Sequence, residues 1–577
     1  MDKRRVKNRA YIVSDSIISP LGRDTESNMR ELMLFNSGVK SVDEKTIYGS
    51  PFMAARIEKE SNGCSESLFP QDVTMLEKRS IEVIRSAVSG CNIDDIRDLL
   101  SQTRLIVATT KGNIDLLEGA GDNLHPAAFP ANMAARISDW LGFEGEPIVI
   151  SSACISGVNA IIEASRLIES NECKNVLVLG ADLLSRFVVT GFESFKSISS
   201  RICVPYDVSR DGLNLGEAVA AILLSADRNL CKDPDPIVID GGAITNDANH
   251  LSAPSRTGDG LGMAMIMAIE EAGVDADSVS FINAHGTSTL YNDEMESKAV
   301  HFASLQGKPV QSLKPFFGHT LGASGVVETI ASAWQMKNSL LFGTKGFKEL
   351  GVPMEIKVTP HHNEMTLNRC VKSASGFGGC NAALVMSLES SSIAKYSMGK
   401  YVWREMASYE LYGEEDFETV IREKYKELDM KDIKFFKMDG LSRLGVIGAA
   451  NLIMNSESVI ECNPFMMGMM LANRSSSLDT DLKHQRLIDE GDSSASPAVF
   501  VYTLPNIVMG EIAIRNKFKG ENVFFLYNSE KPANIHGEML KFAERSNLEV
   551  VICGWCDYLK GKYSLDLKLF KREIYGN

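Results

Sequence analysis

The run Pro147-Ile-Val-Ile-Ser-Ser-Ala-Cys154 passes without a break into Ile155-Ser-Gly-Val-Asn-Ala-Ile-Ile-Glu-Ala-Ser-Arg-Leu-Ile168. The first stretch is short and β-branched, which predicts a buried strand. The second carries apolar residues at helical spacing. A buried strand that feeds straight into a helix belongs to an α/β protein. Cys154 stands at the junction, so its sulfur is expected at the sheet's edge, against the first turn of the helix. The unpaired N–H groups and positive dipole end there favour a thiolate, which predicts a lowered pKa and a nucleophile. An isolated cysteine more often only packs, so the assignment needs partners elsewhere in the chain.

Two histidine motifs supply them: Asn283-Ala-His285-Gly-Thr-Ser-Thr289 and Lys314-Pro-Phe-Phe-Gly-His319-Thr-Leu-Gly-Ala-Ser-Gly325. Small residues after each histidine let backbone and substrate approach closely. Together with Gly376-Phe-Gly-Gly379, this Cys…His…His order resembles the β-ketoacyl-acyl-carrier-protein synthases, condensing enzymes of the thiolase fold. Further matches are Arg201-Ile-Cys-Val-Pro-Tyr-Asp207 with Arg210-Asp-Gly212 and Gly216-Glu217, and Tyr291-Asn-Asp293-Glu-Met-Glu296. The resemblance spans roughly residues 9 to 390.

The resemblance implies an α/β, duplicated five-layer αβαβα fold. It makes Cys154 the acylated nucleophile and has His285 and His319 bind a malonyl thioester. Lys314 matches the family's lysine, and Glu296 the acid that pairs with it to orient the histidines. The backbone N–H groups of Cys154 and Phe377 would form an oxyanion hole, with the Phe377 ring as a gate. Thr287, Thr289, Ser375, Gly376 and Gly378 would contact substrate. Asp293 suits a helix N-cap, and His250 a structural role. Fatty-acid synthases of the family commonly carry Phe where Ser375 stands. A wider cavity therefore points toward a polyketide or polyene pathway. No metal, flavin or nucleotide is implied, because phosphopantetheine arrives on the acyl carrier protein. Four readings stay open: a carrier-binding scaffold without catalysis, a thiolase-fold acyltransferase without condensation, a thiolase, and a cysteine hydrolase. A thiolase would need a second catalytic cysteine, and Cys380 lies outside the motif for one.

A net charge of −15 argues against nucleic acid, and basic residues such as Arg201, Arg210 and those around Lys314 are candidates to receive an acidic carrier. No apolar run approaches membrane-spanning length, no signal-peptide core follows Met1, and the 11 cysteines lack pairing or metal spacing. A cytoplasmic enzyme is expected.

The last third echoes the first. Phe129-Pro130 through Gly145 and Leu504-Pro505 through Gly520 share their Pro-to-Gly spacing; Cys154 lies nine residues past Gly145, and Ser529 nine past Gly520. Asn175–Gly180 is echoed by Glu549–Gly554. The expected domains are a synthase over 1–390, a connecting segment over 391–434, and a degenerate first-half unit over 435–577 that lacks a nucleophile and resembles a chain-length factor. The family dimerises by joining sheets edge to edge. The tail is thus expected to form an intramolecular pseudo-dimer, with a homodimer as the alternative, and Val499–Leu504 to help set pocket depth.

Overall fold

A computed structural model describes residues 7–58, 72–121, 123–395, 401–414, 416–456, 462–491 and 496–574. One 16-stranded sheet runs through the molecule. Apart from the edge strand Lys357–Val358, it consists of three sets of five strands. The first set is β1 (Ala10–Ile18), β2 (Thr103–Ala108), β3 (Ile148–Ile150), β4 (Asn175–Asp182) and β5 (Ala218–Ser225). The second is β6 (Ile237–Asn246), β7 (Phe281–Asn283), β8 (Pro309–Gln311), β9 (Arg369–Gly376) and β10 (Cys380–Leu388). The third is β11 (Tyr401–Gly413), β12 (Met467–Asn473), β13 (Asn522–Leu526), β14 (Val550–Leu559) and β15 (Lys562–Ile574).

Every set repeats one order: β3-β2-β4-β5-β1, β8-β7-β9-β10-β6 and β13-β12-β14-β15-β11. In each, the first three strands are parallel and the last two join antiparallel. The parallel strands are largely buried on both faces, which suits the apolar runs of β2, β3, β4 and β13. Helices α1 (Ser156–Glu169) and α2 (Ser324–Asn338) follow β3 and β8, pack on each other, and fill the layer between the first two sets. Helix Met75–Ser89 covers the outer face of β1 and β5, and helix Asp259–Glu271 that of β6 and β10. The result is the expected five-layer, thiolase-like αβαβα fold.

The third set begins earlier than the sequence suggests. Residues 391–434, expected to connect two domains, contain β11 and helix Phe417–Glu427. β11 pairs with β15 along almost its whole length, from Tyr401 opposite Ile574 to Gly413 opposite Tyr563. Its partner lies at the far end of the chain, so no local signal announces the pairing. Helix Gly440–Met454 covers one face of this set, and helix α3 (Ile535–Glu544) packs against β12 and β14 on the other.

The third set joins the first by β3 and β13, which pair antiparallel, Ile150 opposite Phe525 and Val149 opposite Leu526. The Ser151 N–H extends the seam by donating to Phe524 O at 3.0 Å. Two buried ion pairs cross it, Lys111–Asp481 at 2.6 Å and Arg166–Glu521 at 2.8 Å. Breaking such a pair on one side strands a buried charge. The pseudo-dimer therefore forms within one chain. Among the described residues no helix is long and apolar enough to cross a membrane.

Candidate active site

The chain leaves β3 through Ser151 and Ser152 and enters a single 3₁₀ turn, Ala153–Ile155, before α1 begins. Ala153 sits at φ +49°, in the left-handed region that costs a non-glycine residue energy. Its surroundings hold it there. Ser152 N–H donates to Ser156 Oγ at 2.9 Å, and that hydroxyl donates to Ala153 O at 2.6 Å. This sharp elbow turns the Cys154 sulfur out of the sheet. Behind it, buried Asp182 accepts from Thr109 and Thr110 of the first set and, at 2.7 Å, from the Gly322 N–H of the second. A side chain at Gly325 would meet Val158 N at 2.3 Å. Glycine there lets the two central helices close together, and that approach brings distant motifs to one point.

His319 Nε2 lies 3.1 Å from Cys154 Sγ, and its Nδ1 lies 3.1 Å from the Ser324 hydroxyl. The His285 and His319 rings stand edge to face with centroids 5.1 Å apart. Their backbones are fixed: His319 N–H donates to Asn214 O at 2.7 Å, and His285 N–H to Glu296 Oε1 at 2.8 Å. Burial, then the nearby Lys314 charge, hold both imidazoles well below their usual pKa, so both are neutral. Burial also pushes the Cys154 thiol up to about 12, against a weaker opposing pull from Lys314. The lowered pKa expected from the helix terminus is thus corrected. Loss of water around the sulfur outweighs the dipole, and the resting group is a thiol.

Lys314 does not pair with Glu296. It donates to Glu328 Oε1 at 2.6 Å, and Lys372 approaches Glu328 Oε2 at 2.6 Å from β9. Burial works to raise the Glu328 carboxyl, but the two lysines outweigh it and hold the group below its usual value. Glu296 instead braces the first histidine motif, accepting from the His285 and Gly286 N–H groups and the Tyr206 hydroxyl. Asp293 lies inside helix Leu290–Phe302, not ahead of it, and accepts from the Tyr206 and Ser288 N–H groups. Glu328 and Lys372 escaped the sequence reading because neither lies in the motifs. Their signal is only that each is an ionisable residue directly after apolar ones, Val326-Val327 before Glu328 and Cys370-Val371 before Lys372.

Cys154, His285 and His319 open into one cavity of about 340 Å³, whose walls include Thr287, Thr289 and Ser375. The two threonine hydroxyls lie 2.9 Å apart, and Ser375 donates to Asn381 Oδ1 at 2.8 Å. A Cβ on Gly376 would come within 3.1 Å of Cys154 N, so glycine keeps the space before that N–H open. Gly378, at φ +90°, turns the loop back. Phe377 stacks on Phe192 and tilts against Phe195, with centroids 6.3 and 5.5 Å away.

The third set reaches this wall. Phe500, on the helical turn Pro497–Val501, packs edge-on against Phe192 at 5.5 Å and fills the space over Gly191. Asn506 donates to Phe377 O at 2.8 Å and so holds the gate loop. Ser529, the counterpart of Cys154, lies exposed in a loop after β13, and no hydrogen bond among the described residues joins it to a base. Cys380 is buried, with its thiol directed at the carbonyls of Phe377 and Ser152. His250 Nδ1 accepts from the Ser252 and Ala253 N–H groups and shapes a turn. Arg210, a candidate to receive a carrier, is buried.

The beta-ketoacyl synthase N-terminal domain signature matches residues 7–229, and the C-terminal domain signature residues 237–348. The 3-oxoacyl-[acyl-carrier-protein] synthase 2 of Rhizobium meliloti is 28% identical over 416 residues, covering 66% of this chain and 98% of that protein. The Vibrio harveyi protein of the same name is 26% identical over 410 residues, with the same coverage. Among solved structures, the PfaC keto synthase–chain length factor superposes with TM-score 0.78 at 15% identity, covering 98% of this chain and 78% of that one. The ketosynthase ApeO in complex with its chain length factor ApeC, from Xenorhabdus doucetiae, covers 66% of this chain and 98% of that one, with TM-score 0.56 and 24% identity. With both signatures in order over the first two strand sets, this chain belongs to the β-ketoacyl synthase family.

Proposed function

We propose that the cavity carries out a decarboxylative Claisen condensation between a Cys154-bound acyl group and a malonyl unit on an acyl carrier protein. One observation carries this reading: a thiol 3.1 Å from one neutral imidazole, with a second imidazole ring 5.1 Å from the first, in a single cavity.

In the first step Cys154 sulfur attacks the acyl thioester carbonyl. The carrier's C–S bond breaks, and the carrier sulfur leaves with the proton that the Cys154 thiol gives up. His319 Nε2 is placed to relay that proton. The Cys154 and Phe377 N–H groups hold the tetrahedral oxyanion. In the second step the malonyl carboxylate departs as carbon dioxide, and its electron pair passes to the thioester enolate. Neutral His285 and His319 donate N–H to the enolate oxygen. The α-carbon then attacks the acyl carbonyl, a carbon–carbon bond forms, and Cys154 leaves and takes up one proton. Ser324 can donate to or accept from His319 Nδ1, so it supports the tautomer each step needs. Lys314 and Lys372 are positioning residues whose charges help keep the imidazoles uncharged, and Glu328 anchors both lysines.

The reaction needs only a thiol, imidazoles and backbone donors. Thr287 and Thr289 are placed to contact the pantetheine arm. We place the chemistry in a polyketide or polyene pathway of the cytoplasm. Ser375 leaves room where an aromatic ring would narrow the cavity, the third set resembles a chain-length factor, and the ten described cysteines are free. The test has two arms. Intact mass should show an acyl adduct after incubation with an acyl-carrier thioester, absent in Cys154→Ala. Carbon dioxide should be released from malonyl-carrier and lost in His285→Ala and His319→Ala. An adduct that persists without Cys154 would refute the assignment.

A further inference from the structure

Among the described residues Ile433 is the most exposed large apolar one, at 80%. It opens a 3₁₀ turn, Ile433–Lys437, between helix Phe417–Glu427 and helix Gly440–Met454 of the third set. Asp432 caps the turn by accepting from the Lys434 N–H at 2.9 Å. A 3₁₀ helix has three residues per turn, so residues three apart share a face. That period sorts this turn into three ridges. Phe435 is fully buried and anchors the turn in the core, with the Tyr425 ring 4.9 Å away. Ile433 and Phe436 form an outward apolar ridge, and Phe436 is propped by Tyr425 at 4.8 Å and by the Arg422 guanidinium at 5.6 Å. Lys434 and Lys437, both exposed, form a cationic ridge beside it. Charge gathers here against the trend of the chain. From Arg422 to Lys437 stand six cations and four acids. Lys424 pairs with Glu427, Lys431 with Asp429, and Arg515, from outside the stretch, with Asp432. Glu418, one helical turn before Arg422, is held by Arg443. That leaves Arg422, Lys426, Lys434 and Lys437 against one further acid, Glu423, on a chain whose net charge is −15.

We infer that this turn attaches the protein to an anionic phospholipid surface, with Ile433 and Phe436 entering the headgroup–acyl boundary and Lys434 and Lys437 meeting the phosphates. The shape of the ridge favours a bilayer over a protein. Ile433 protrudes with little wall beside it, so a protein partner would have to bring a groove, whereas a bilayer interface takes up a protruding side chain directly. The charge fits the same occupant. Lysine stems lie along apolar surface while their ammonium groups stay among headgroups, and anionic lipid attracts each cation within a Debye length. Two apolar side chains and a few cations give reversible attachment at the surface, not a span. Neither ridge lines the catalytic cavity. Attachment is therefore independent of the chemistry at Cys154.

Co-sedimentation with vesicles tests the attachment. At low salt the full chain should bind phosphatidylcholine vesicles containing about one-third phosphatidylserine at least about tenfold more tightly than pure phosphatidylcholine vesicles, and high salt should erase the difference. Lys434→Glu/Lys437→Glu should weaken binding to the anionic vesicles about tenfold or more. Ile433→Ser/Phe436→Ser should weaken it by a similar factor, because the apolar area no longer leaves water. Should loss of the Phe436 ring disturb its packing on Tyr425, Ile433→Asp alone must still weaken binding. A wild-type chain with no preference for anionic vesicles overturns the assignment. So does binding that survives undiminished in either the lysine reversal or Ile433→Asp. Capture of an acidic protein, such as an acyl carrier protein, through these residues without vesicle binding overturns it in favour of a protein partner.

Discussion

Helices α1 and α3 hold the same place in their strand sets, each following the strand at the pseudo-dimer seam. Every residue of α1 is buried, because the second set lies over it. In α3 only Ile535, Met539, Phe542 and Ala543 are buried, since among the described residues no fourth set covers it. The loops before them differ in the same sense. Cys154 stands on a tight elbow buttressed by Asp182 and faces two histidines contributed by the second set. Ser529 is exposed, and among the described residues no hydrogen bond joins it to a histidine. Chemistry in this fold requires two strand sets stacked face to face, whereas an interface requires only one edge. The third set kept the edge.

Removing the nucleophile tests that contrast most strongly. Cys154→Ala should lower condensation by at least about a thousandfold, read as loss of the acyl adduct and of product. Next, His285→Ala or His319→Ala should each cut carbon dioxide release from malonyl-carrier by about a hundredfold or more, as for loss of an oxyanion donor. Seam and wall come third. Phe525→Asp buries a charge beside Ile150 and should destabilise the protein by about 4 kcal/mol or more in denaturant unfolding. Phe500→Ala should cost about 3 kcal/mol and lengthen the carrier-bound products seen by mass spectrometry. A fourth test concerns pH. Both imidazoles have folded-state pKa values depressed below the unfolded value. Their stabilising contribution is therefore present above the unfolded pKa and declines as pH falls below it. Lys314→Met removes one of the charges that oppose imidazole protonation, so the acid limb of carbon dioxide release should move to higher pH. Least of all, Ser529→Ala should change stability by no more than about 0.5 kcal/mol and leave turnover intact. A measurable loss of turnover there would break the contrast.

The centre of the site was legible because its signals are local. Cys154, His285 and His319 each sit in a short run where strand, turn and small residues follow in order. Elements defined by distant partners were not legible. β11 exists because β15 lies beside it at the other end of the chain, so residues 401–413 read as connection. Lys314 found Glu328 rather than Glu296 because α2 presents that carboxylate to it, a fact of helix placement and not of spacing. The thiol pKa failed for a related reason: a helix terminus is visible in sequence, but the desolvation that outweighs it depends on what the fold piles around the sulfur.

The pairing of β3 with β13 has a consequence for how such an enzyme behaves in a cell. A two-chain assembly comes apart on dilution, and its halves must be made in balanced amounts. Here the synthase sets and the third set are translated together in a fixed one-to-one ratio, and the effective concentration of one for the other does not depend on expression level. With β3 already occupied, a second copy cannot compete for that edge, so each polypeptide should work with a single reaction centre and show no concentration-dependent activity.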